Sequence, residues 1–526
     1  MSARTVGRRE FIKTGAAIGG GLLVSLYAPL PGGPSGALAA EEKKFVLNAF
    51  VRIGTDESVT VISAHSEMGQ GIYTSLPMLL NEELEANWSN IRVEAAPVDK
   101  VYNHPLFGLQ MTGGSTTSPA EWKRYREMGA TARVMLVEAA AAKWNVEAAS
   151  CHVEKGVVIH AATGKRATYG SLADAAAKLT PPTNVPLKSP KDFTLIGKST
   201  RRLDTPSKVN GSAQFGLDVV RPGMLTAVVA RPPVFGGKVA KLDASEALKV
   251  PGVKAVEQVP SGVAVIAEHF WPANLGREKL KVEWDLGPNA DLSTEKMLRD
   301  FAETALKPGA IAKKTGDPQA ALKTAAKTIT AEYDVPYLAH ACMEPLNCVV
   351  DLRGDSCEIW TGTQFETVDR ASAAQVVGLP PEKVQIHTML LGGGFGRRAN
   401  PASDFVVEAA HVAKIAKAPV KVVWTREDDM RGGWYRPMWH DRFVAGLDAN
   451  GDPIAWTHTI VGQSIAQGTP FAAFMIKDGV DSTSVEGAAD ILYGLPNLQV
   501  DLHTPQIGVP VQWWRSVGHS HTGFSV

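Results

Sequence analysis

The segment with the clearest chemical signature is a glycine-rich loop at 392–398, with the sequence GGGFGRR. Consecutive glycines let a backbone approach a ligand closely and point several N–H groups at it. A helix is predicted over about 402–417, and a helix N-terminus favours an anion. Phe395 is predicted to stand exposed beside that ligand, while Arg397 and Arg398 add permanent positive charge suited to phosphate. A plain glycine-rich turn is the alternative interpretation.

Two other loops offer glycines and polar side chains just before a helix. The first has the sequence EMGQG at 67–71, after a β-rich run and before leucines at helical spacing. The second has the sequence TGGSTT at 112–117 and opens a longer helix. Both loops therefore lie where a strand or turn gives way to a helix.

The first of these loops belongs to a pattern that recurs weakly later in the chain. In both places a strand leads to a glutamine-bearing tip, a helix and another strand. The two glutamines are Gln70 and Gln364. Two such units facing each other would bring both glutamines to one cleft. Because strand–helix–strand units are common, the alternative interpretation is that the two copies resemble each other by chance.

The composition is that of an ordinary globular protein, with 526 residues, 44% hydrophobic and 21% charged. That length suggests about three domains. Lys+Arg and Asp+Glu balance at 54 each, which leaves no electrostatic footprint for nucleic acid or an anionic membrane. The four cysteines form no C-x-x-C pair, so this chain offers no thiolate set for an iron–sulfur cluster or a structural zinc.

The first forty residues are interpreted as a targeting signal. Arg8 and Arg9 open the twin-arginine motif RREFIK, a glycine-rich apolar stretch follows, and a small-residue cleavage site lies at 37–39. This route exports folded proteins, and its usual clients carry a complex cofactor, so we expect a periplasmic redox protein. An uncleaved N-terminal anchor is the alternative, although the apolar run is short for a membrane span.

These motifs together resemble those of the xanthine dehydrogenase/aldehyde oxidase family. The loop at 392–398 resembles the family's cofactor loop, and the loop at 67–71 matches a second one. Further matching stretches lie at 197–215, which is similar to the start of an α/β-hammerhead domain, and at 340–350, 361–364 and 424–430. The two loops occur in the reverse of the xanthine dehydrogenase order, which is similar to the isoquinoline 1-oxidoreductase branch. The resemblance covers about 45–526.

The resemblance implies an α+β fold with molybdenum-cofactor-binding α/β units and an α/β-hammerhead domain. The predicted domains are a twin-arginine signal peptide over 1–40, a molybdopterin-binding unit over 41–180, a hammerhead domain over 195–290 and a second molybdopterin-binding unit over 327–526. A helical connector rich in Ala and Lys is predicted over about 290–326.

The resemblance also implies roles for single residues. Gln364 is similar to the glutamine that hydrogen-bonds an oxygen ligand of molybdenum, and Phe395 to the aromatic that shapes the substrate slot. Arg515 lies where the family has an arginine that polarises substrate, although its flanking sequence differs. The implied contacts to the pterin and its phosphates are Met68, Gly69, Gln70, Gly71, Gly114, Ser115, Thr117, Gly393, Gly394, Phe395, Gly396 and Arg397.

The implied function is that of a molybdenum-dependent hydroxylase subunit that oxidises aldehydes or N-heteroaromatic compounds, with water as the oxygen source. The implied cofactor is a molybdopterin dinucleotide, in the cytosine form of bacterial relatives. Electrons would leave to a small iron–sulfur subunit with two 2Fe–2S clusters, and a cytochrome is a further candidate acceptor. A non-catalytic cofactor-binding subunit and a periplasmic small-molecule-binding protein are the alternatives.

One feature of the family is missing from this sequence. The family's general base is a glutamate in a Gly-x-Gly-Glu segment beyond the position that Arg515 matches, and these 526 residues contain no such segment. Glu67 and Glu344 lie close to the motifs, but the resemblance matches neither to the base. We therefore expect a truncated or split subunit, incomplete at its C-terminus and inactive alone.

Some residues near the motifs have two interpretations, a functional role or a structural role such as packing. The spacing of His340 and Glu344 could suggest a metal pair on a helix, but no further ligand cluster is apparent, so packing or hydrogen bonding is favoured. Trp513 and Trp514 could line a substrate funnel or simply pack. No metal-ligating residue is predicted.

Overall fold

The computed structural model describes residues 21–25 and 49–526, with side chains from Phe50 onward. The predicted motif at Arg8 and Arg9 and the predicted cleavage site at 37–39 lie outside the described residues. Residues 21–25, inside the predicted signal, form a strand. Over the described ranges no helix is both long and apolar enough to cross a membrane.

Helices and strands alternate along the chain, which confirms the predicted α+β class. The helices are α1 Ile72–Leu84, α2 Thr117–Trp144, α3 Tyr169–Ala176, α4 Thr205–Asn210, α5 Phe270–Glu278, α6 Thr294–Thr304, α7 Pro318–Thr324, α8 Glu366–Val377, α9 Asp404–Ala416, α10 Arg426–Arg431, α11 Ala472–Met475 and α12 His519–Ser525. The strands are β1 Gly21–Ser25, β2 Ala49–Gly54, β3 Val59–Ser63, β4 Ile91–Ala95, β5 Cys151–Glu154, β6 Val157–His160, β7 Lys165–Thr168, β8 Leu225–Ala230, β9 Lys238–Asp243, β10 Val253–Val259, β11 Gly262–Ala267, β12 Lys281–Asp285, β13 Ala310–Thr315, β14 Lys327–Val335, β15 Leu338–Ala339, β16 Asn347–Arg353, β17 Ser356–Thr361, β18 Val384–Thr388, β19 Val420–Val423, β20 Tyr435–Arg436, β21 Trp439–Leu447, β22 Pro453–Gly462, β23 Ile476–Lys477, β24 Val480–Asp481 and β25 Leu498–His503.

The region predicted as a helical connector differs from the prediction in its middle. It contains α6 and α7, but β13 lies between them and pairs antiparallel with β25, from Ala310 opposite Leu502 to Thr315 opposite Leu498. The prediction was wrong there because local Ala and Lys content favours a helix. The distant pairing partner decides the outcome instead.

The described chain divides into two compact units. Unit 1 comprises residues up to Val219 together with 358–371 and 381–391, and unit 2 comprises 220–357, 372–380 and 392–526. The segment predicted as a hammerhead domain is divided between them after Val219. Its first part, at 197–215, belongs to unit 1, and its strands belong to unit 2.

Unit 1 is built on a four-stranded sheet in the order β1-β2-β3-β4, in which only β3 and β4 run parallel. Phe50 and Tyr125 are fully buried in its core. Helices α1 and α2 pack closely, because a Cβ on Gly129 of α2 would lie 2.0 Å from the carbonyl oxygen of Leu80 in α1. Only glycine permits this close approach of the two helices.

Unit 2 contains a sheet in which β10, β11, β8, β19 and β16 are successive neighbours. β8 is the central one of these strands, antiparallel to β11 and parallel to β19. Strands from the predicted hammerhead segment and from the last predicted unit thus share one sheet. Helix α9 packs on β16 and β19. Its first residue, Asp404, pairs with Arg397 of the loop at 392–398. A second sheet has the order β13-β25-β22-β21-β14.

Candidate functional site

The loop at 67–71 is folded around its own glutamate. Glu67 is 1% exposed, and its carboxylate accepts hydrogen bonds from the backbone N–H groups of Gly69 (2.9 Å), Gly71 (3.3 Å) and Tyr73 (3.1 Å). Gly69 and Gly71 have φ values of +102° and +92°, a conformation that side chains rarely adopt. The glycines are therefore needed for the turn that lets these amides converge on Glu67.

Two cations from the stretch 197–215 neutralise Glu67. Arg202 Nη2 lies 2.9 Å and Lys208 Nζ 3.0 Å from Glu67 Oε1, and Arg202 Nη1 also donates to the carbonyl of Gly69 at 3.0 Å. Asp204 accepts hydrogen bonds from both cations. Burial would raise the pKa of Asp204, but these two hydrogen bonds outweigh it and hold that pKa below its ordinary value.

The side chain of Gln70 completes the loop. Its Nε2 donates to the carbonyl of Ser66 at 2.7 Å, and its Oε1 accepts from the backbone N–H of Met68 at 2.7 Å. Gly69 and Gln70 are exposed, and a Cβ on Gly69 would meet no atom within 4 Å. The predicted contact residues Met68 to Gly71 thus form a hydrogen-bonded tip with an open side at Gly69.

Gln364 is joined to the loop at 112–117. Its side chain is 3% exposed, its Nε2 donates to the carbonyl of Thr112 at 2.9 Å, and its own carbonyl accepts from the Thr112 N–H at 2.8 Å. Thr112 Oγ1 accepts in turn from the backbone N–H of Ser66 at 2.9 Å. The Oε1 atom of Gln364 is buried and has no hydrogen-bond partner in the part of the chain that the structure describes. The Oε1 atom is therefore available to a hydrogen-bond donor outside the described residues.

The predicted phosphate loop is exposed at its tip and buried at its base. Gly114 and Ser115 are exposed and have φ values of +65° and +55°. Left-handed backbone at a residue other than glycine is uncommon and gathers at functional sites. Thr117 begins α2, is buried, and places Oγ1 3.4 Å from Nδ1 of the buried His65. The loop therefore presents two of its three predicted contact residues to solvent.

The loop at 392–398, in unit 2, is anchored by Glu344. Glu344 Oε2 accepts from the backbone N–H of Gly392 at 2.9 Å and from Arg398 Nη2 at 3.0 Å. Asn347 Nδ2 donates to the other carboxylate oxygen at 3.0 Å. A Cβ on Gly392 would lie 2.3 Å from Cβ of Glu344, so this position requires glycine. Glu344 is therefore an anchor of the loop.

The two arginines of that loop fold inward. Arg397 is 1% exposed and forms a bidentate ion pair with Asp404, with N–O distances of 3.0 and 2.6 Å, while Arg398 is 0% exposed. The prediction that their charges are free to bind phosphate was wrong, because a buried cation is stable only when it is paired. For Arg397, a contact of its backbone to the cofactor stays a prediction.

Phe395 points out of the same loop. It is 38% exposed with a φ of +55°, between Gly393 at +103° and Gly396 at +104°. A Cβ on Gly396 would lie 2.4 Å from the carbonyl oxygen of Trp513, and the thiol of Cys342 donates to the carbonyl of Gly394 at 3.3 Å. Close packing behind the loop thus holds an aromatic ring at its exposed tip.

The residues around Arg515 are packed rather than arranged as ligands. His340 Nε2 is hydrogen-bonded to the carbonyl of Trp513 at 2.9 Å, and its ring stacks on Trp514 with centroids 4.7 Å apart. Burial lowers the pKa of His340 to about 4. Arg515 is exposed. Across residues 49–526 no group of three or more His, Cys, Asp or Glu side chains could hold a metal ion, and packing is the role that His340 shows.

Unit 1 therefore brings together Gln364 and the loops at 67–71 and 112–117, whereas the loop at 392–398 and Arg515 belong to unit 2. Sequence reasoning missed Ser66 and Thr112, which link the three loops of unit 1. Both are small polar residues beside motifs, and that is a weak signal. It also missed Arg202, which lies in a stretch that the family resemblance had marked.

Two family models match the chain, and each is described as a molybdopterin cofactor-binding domain. The first of these domain models matches residues 303–511, which include the loop at 392–398. The second matches residues 7–220, which include the loops at 67–71 and 112–117. Each of the two matched ranges therefore includes glycine-rich loops from the sequence analysis.

Three curated relatives cover nearly all of the chain. It is 33% identical to the beta chain of isoquinoline 1-oxidoreductase from Brevundimonas diminuta, over 91% of this chain and 67% of that protein. It is 30% identical to a membrane-bound aldehyde dehydrogenase (pyrroloquinoline-quinone) of Gluconacetobacter polyoxogenes, over 91% and 63% of the two chains. It is 26% identical to a subunit of nicotinate dehydrogenase from Pseudomonas putida, over 96% and 43%. The chain thus spans between 43% and 67% of the length of these relatives.

Proposed function

We propose that this chain, which belongs to the molybdopterin-binding subunits of the xanthine dehydrogenase/aldehyde oxidase family, takes part in molybdenum-dependent oxidation of aldehydes or N-heteroaromatic compounds. The names of the three relatives include an aldehyde and two N-heteroaromatic compounds, isoquinoline and nicotinate. The observation that carries the proposal is Gln364, which the fold buries and orients while leaving its Oε1 without a partner among the residues described.

The residues of unit 1 fit the cofactor. A buried amide oxygen without a partner costs about 1–3 kcal/mol, so Gln364 Oε1 favours a ligand that brings a hydrogen-bond donor. The open side of Gly69 lets a ligand approach the backbone closely, and Gly114 and Ser115 offer further exposed backbone. We propose that these residues hold the pterin and its phosphates.

When bound, the molybdenum centre supplies the two-electron redox chemistry, and the protein supplies binding, orientation and electrostatics. We propose that Gln364 orients the cofactor through its fixed amide. The exposed ring of Phe395 offers a flat apolar face, which suits an aromatic substrate by stacking. Arg515 is exposed, and its permanent charge suits it to stabilise negative charge that develops on substrate.

The function is tested by expressing the chain, with any further polypeptide that its complex contains, in a molybdenum-replete host. We expect bound molybdenum by elemental analysis and turnover of an aldehyde or isoquinoline with a dye acceptor. Protein from cells grown on tungstate is the matched control and should lose turnover. Turnover that persists without molybdenum and is proportional to the amount of bound quinone would overturn the proposal. The cofactor would then be pyrroloquinoline quinone, which the name of the aldehyde dehydrogenase relative includes.

We propose further that the cofactor is the cytosine dinucleotide. The support is the pair of glycine-built tips, at 67–71 and 112–117, which together offer backbone to more than one phosphate. Acid hydrolysis of the loaded protein should release CMP in a one-to-one ratio with molybdenum. Release of GMP or AMP, or of no nucleotide, would contradict the cytosine form while leaving the molybdopterin in place.

We propose that electrons leave through a separate iron–sulfur subunit with two 2Fe–2S clusters, and then through a cytochrome acceptor. The support is that the four cysteines among these 526 residues include no C-x-x-C pair, so these residues offer no thiolate set for a cluster. Affinity purification of the tagged chain should recover such a subunit, with reduced-cluster signals by electron paramagnetic resonance. Turnover coupled to a cytochrome by the chain alone would contradict this partner.

We propose export to the periplasm by the twin-arginine route, from the motif at Arg8 and Arg9. Replacing both residues by Lys keeps the charge but removes the motif, and should retain precursor in the cytoplasm. A variant with Lys13→Ala is the control, since it changes charge outside the arginine pair. Normal export of the double variant would refute this route.

A further inference from the structure

A second buried carboxyl lies beside Gln364. Glu366 begins α8, is 1% exposed, and places Oε1 2.5 Å from Oγ of Ser66. Its other oxygen, Oε2, is buried without a hydrogen-bond partner among the residues described. Ser66 directly precedes Glu67, so this contact joins the start of α8 to the loop at 67–71.

Counting hydrogens fixes the protonation state of Glu366. Ser66 Oγ is also 2.6 Å from the carbonyl oxygen of Thr363, and a carbonyl can only accept. The two contacts therefore need two hydrogens, but the serine hydroxyl has one. Ser66 satisfies Thr363, and the second hydrogen must belong to Glu366. Glu366 is then a neutral carboxylic acid that donates to Ser66.

The surroundings of Glu366 favour the same state. The carboxyl of Glu67 is hydrogen-bonded to three amides and paired with two cations, whereas that of Glu366 contacts Ser66 Oγ and its own backbone N–H and has no ion pair within residues 49–526. Asp369, one turn further along α8, is also buried and accepts from Thr363 Oγ1. Burial is the largest cause and raises the pKa of Glu366 to about 7; the contacts with Ser66 and with its own backbone N–H lower that pKa, and the charge of Asp369 raises it by a smaller amount. Tyr73 is the other titratable side chain that faces it, and it stays neutral because burial raises the pKa of its phenol.

We propose that Glu366 is a positioning residue of this site, a neutral acid whose O–H bond to Ser66 holds the Gln364 segment against the loops at 67–71 and 112–117. Ser66 is the junction, because its N–H binds Thr112 and its hydroxyl binds the carbonyl next to Gln364. If Glu366 ionises, the one hydroxyl hydrogen of Ser66 can serve only one of its two acceptors. Thr363 or Glu366 then loses its bond, and the clamp on Gln364 loosens.

The proton on Glu366 is a property of the fold, and only the consequence for Gln364 rests on the proposed function. Glu366→Gln is the matched variant, because its amide can still donate to Ser66 but cannot ionise. In the wild type the folded-state pKa is raised, so the folded state keeps a proton that the unfolded state loses above pH 4.5. The wild type should therefore lose stability relative to Glu366→Gln as the pH rises from about 5 to 7, and the difference should level off above 7.

The expected slope is up to about tenfold in the folding equilibrium constant per pH unit inside that window. It is measured by urea unfolding of both proteins at matched pH values. Infrared difference spectra between acid and neutral pH should also show a protonated carboxyl band that Glu366→Gln lacks and Asp369→Asn retains. Two results together would overturn the proposal. The first is a stability difference between the wild type and Glu366→Gln that stays constant with rising pH or changes in favour of the wild type. The second is the absence of that protonated carboxyl band from the wild-type spectrum.

The positioning role has its own readout in the loaded protein. Glu366→Gln should keep the wild-type molybdenum content and turnover, and its turnover should not decline above neutral pH. Glu366→Leu cannot donate a hydrogen bond, so its molybdenum content should fall several-fold. Loss of turnover in Glu366→Gln at full molybdenum content would mean that the carboxylate itself reacts, and would overturn a positioning role. If the wild type shows no turnover at all, the proposed function fails, while the infrared and urea results still decide the protonation state.

Discussion

The loops at 67–71 and 392–398 are two versions of one construction. Each contains two glycines with φ between +92° and +104°, and in each a buried glutamate accepts a hydrogen bond from a backbone N–H of the loop. In the first loop the glutamate is Glu67, inside the loop. In the second it is Glu344, which comes from another part of unit 2. The same electrostatic device therefore arises from a local and from a distant residue.

The two loops differ in how the charge of the glutamate is balanced. Arg202 and Lys208, which pair with Glu67, have side chains 37% and 22% exposed. Arg398, which pairs with Glu344, is 0% exposed. Water can replace a lost partner of the first two cations but not of the third. The loop in unit 1 should therefore tolerate the loss of a charged partner, whereas the loop in unit 2 depends on a charged partner that is buried in the core.

Removing Glu344 should give the largest effect. Glu344→Ala leaves Arg398 buried without its carboxylate and leaves the Gly392 N–H without an acceptor, at a cost of about 3–5 kcal/mol. Urea unfolding monitored by tryptophan fluorescence measures it. Glu344→Gln keeps an acceptor and the shape, so it should cost less. A loss below that of Glu67→Ala would refute the contrast between the loops.

Substituting one glycine in each loop separates backbone strain from lack of space. Gly396→Ala and Gly69→Ala both impose about 1–2 kcal/mol of left-handed strain, since their φ values are +104° and +102°. At Gly396 the new Cβ would also meet the carbonyl of Trp513 at 2.4 Å, which adds about 1–3 kcal/mol, whereas at Gly69 it meets nothing. Thermal unfolding of the pair gives the difference, and equal losses would show that space does not limit the loop at 392–398.

Glu67→Ala should be milder than Glu344→Ala. It frees three amides and two cations, but both cations can be hydrated, so we expect about 1–3 kcal/mol. The single variant Lys208→Ala should cost at most about 1 kcal/mol. Added salt should narrow the gap between the wild type and Lys208→Ala, because exposed charges are screened. A stability difference between the wild type and Lys208→Ala that does not change with salt would mean that Lys208 is more buried than the structure shows.

Phe395→Ala should have the smallest effect on stability. The ring is 38% exposed, so the expected change is within about 0.5 kcal/mol. If the ring forms the slot for a flat substrate, KM for isoquinoline should rise more than KM for a small aliphatic aldehyde. A large loss of stability with unchanged KM values would make Phe395 a packing residue.

Local patterns in the sequence predicted the loops and the helices that follow them. Glycine runs and apolar spacing placed helices after 67–71, 112–117 and 392–398, and α1, α2 and α9 begin there. These patterns work because turn geometry and helix amphipathicity are properties of neighbouring residues. The predicted repeat also has its helix in both copies, α1 after Gln70 and α8 after Gln364.

Long-range partners could not be predicted in this way. The charge of Arg398 was interpreted as suited to phosphate, yet its carboxylate partner is Glu344, 54 residues earlier in the chain. Glu366 and Ser66 are 300 residues apart, so no local pattern connects them. The prediction of a helix at β13 was wrong for the same reason, because this segment forms a strand by pairing with the distant β25. Charge and propensity can be read from the sequence, but the partner that satisfies a buried group comes from the tertiary fold.

The sequence separation of these contacts has a consequence for the order of synthesis. Glu67 is translated 135 residues before Arg202 and 141 before Lys208, and Ser66 is translated 300 residues before Glu366. A nascent chain that ends before Lys208 has made the whole loop at 67–71 but not the cations that neutralise it. The clamp on Gln364 is finished later still. The proposed cofactor site is therefore complete only after Glu366 has left the ribosome, long after its first loop was made.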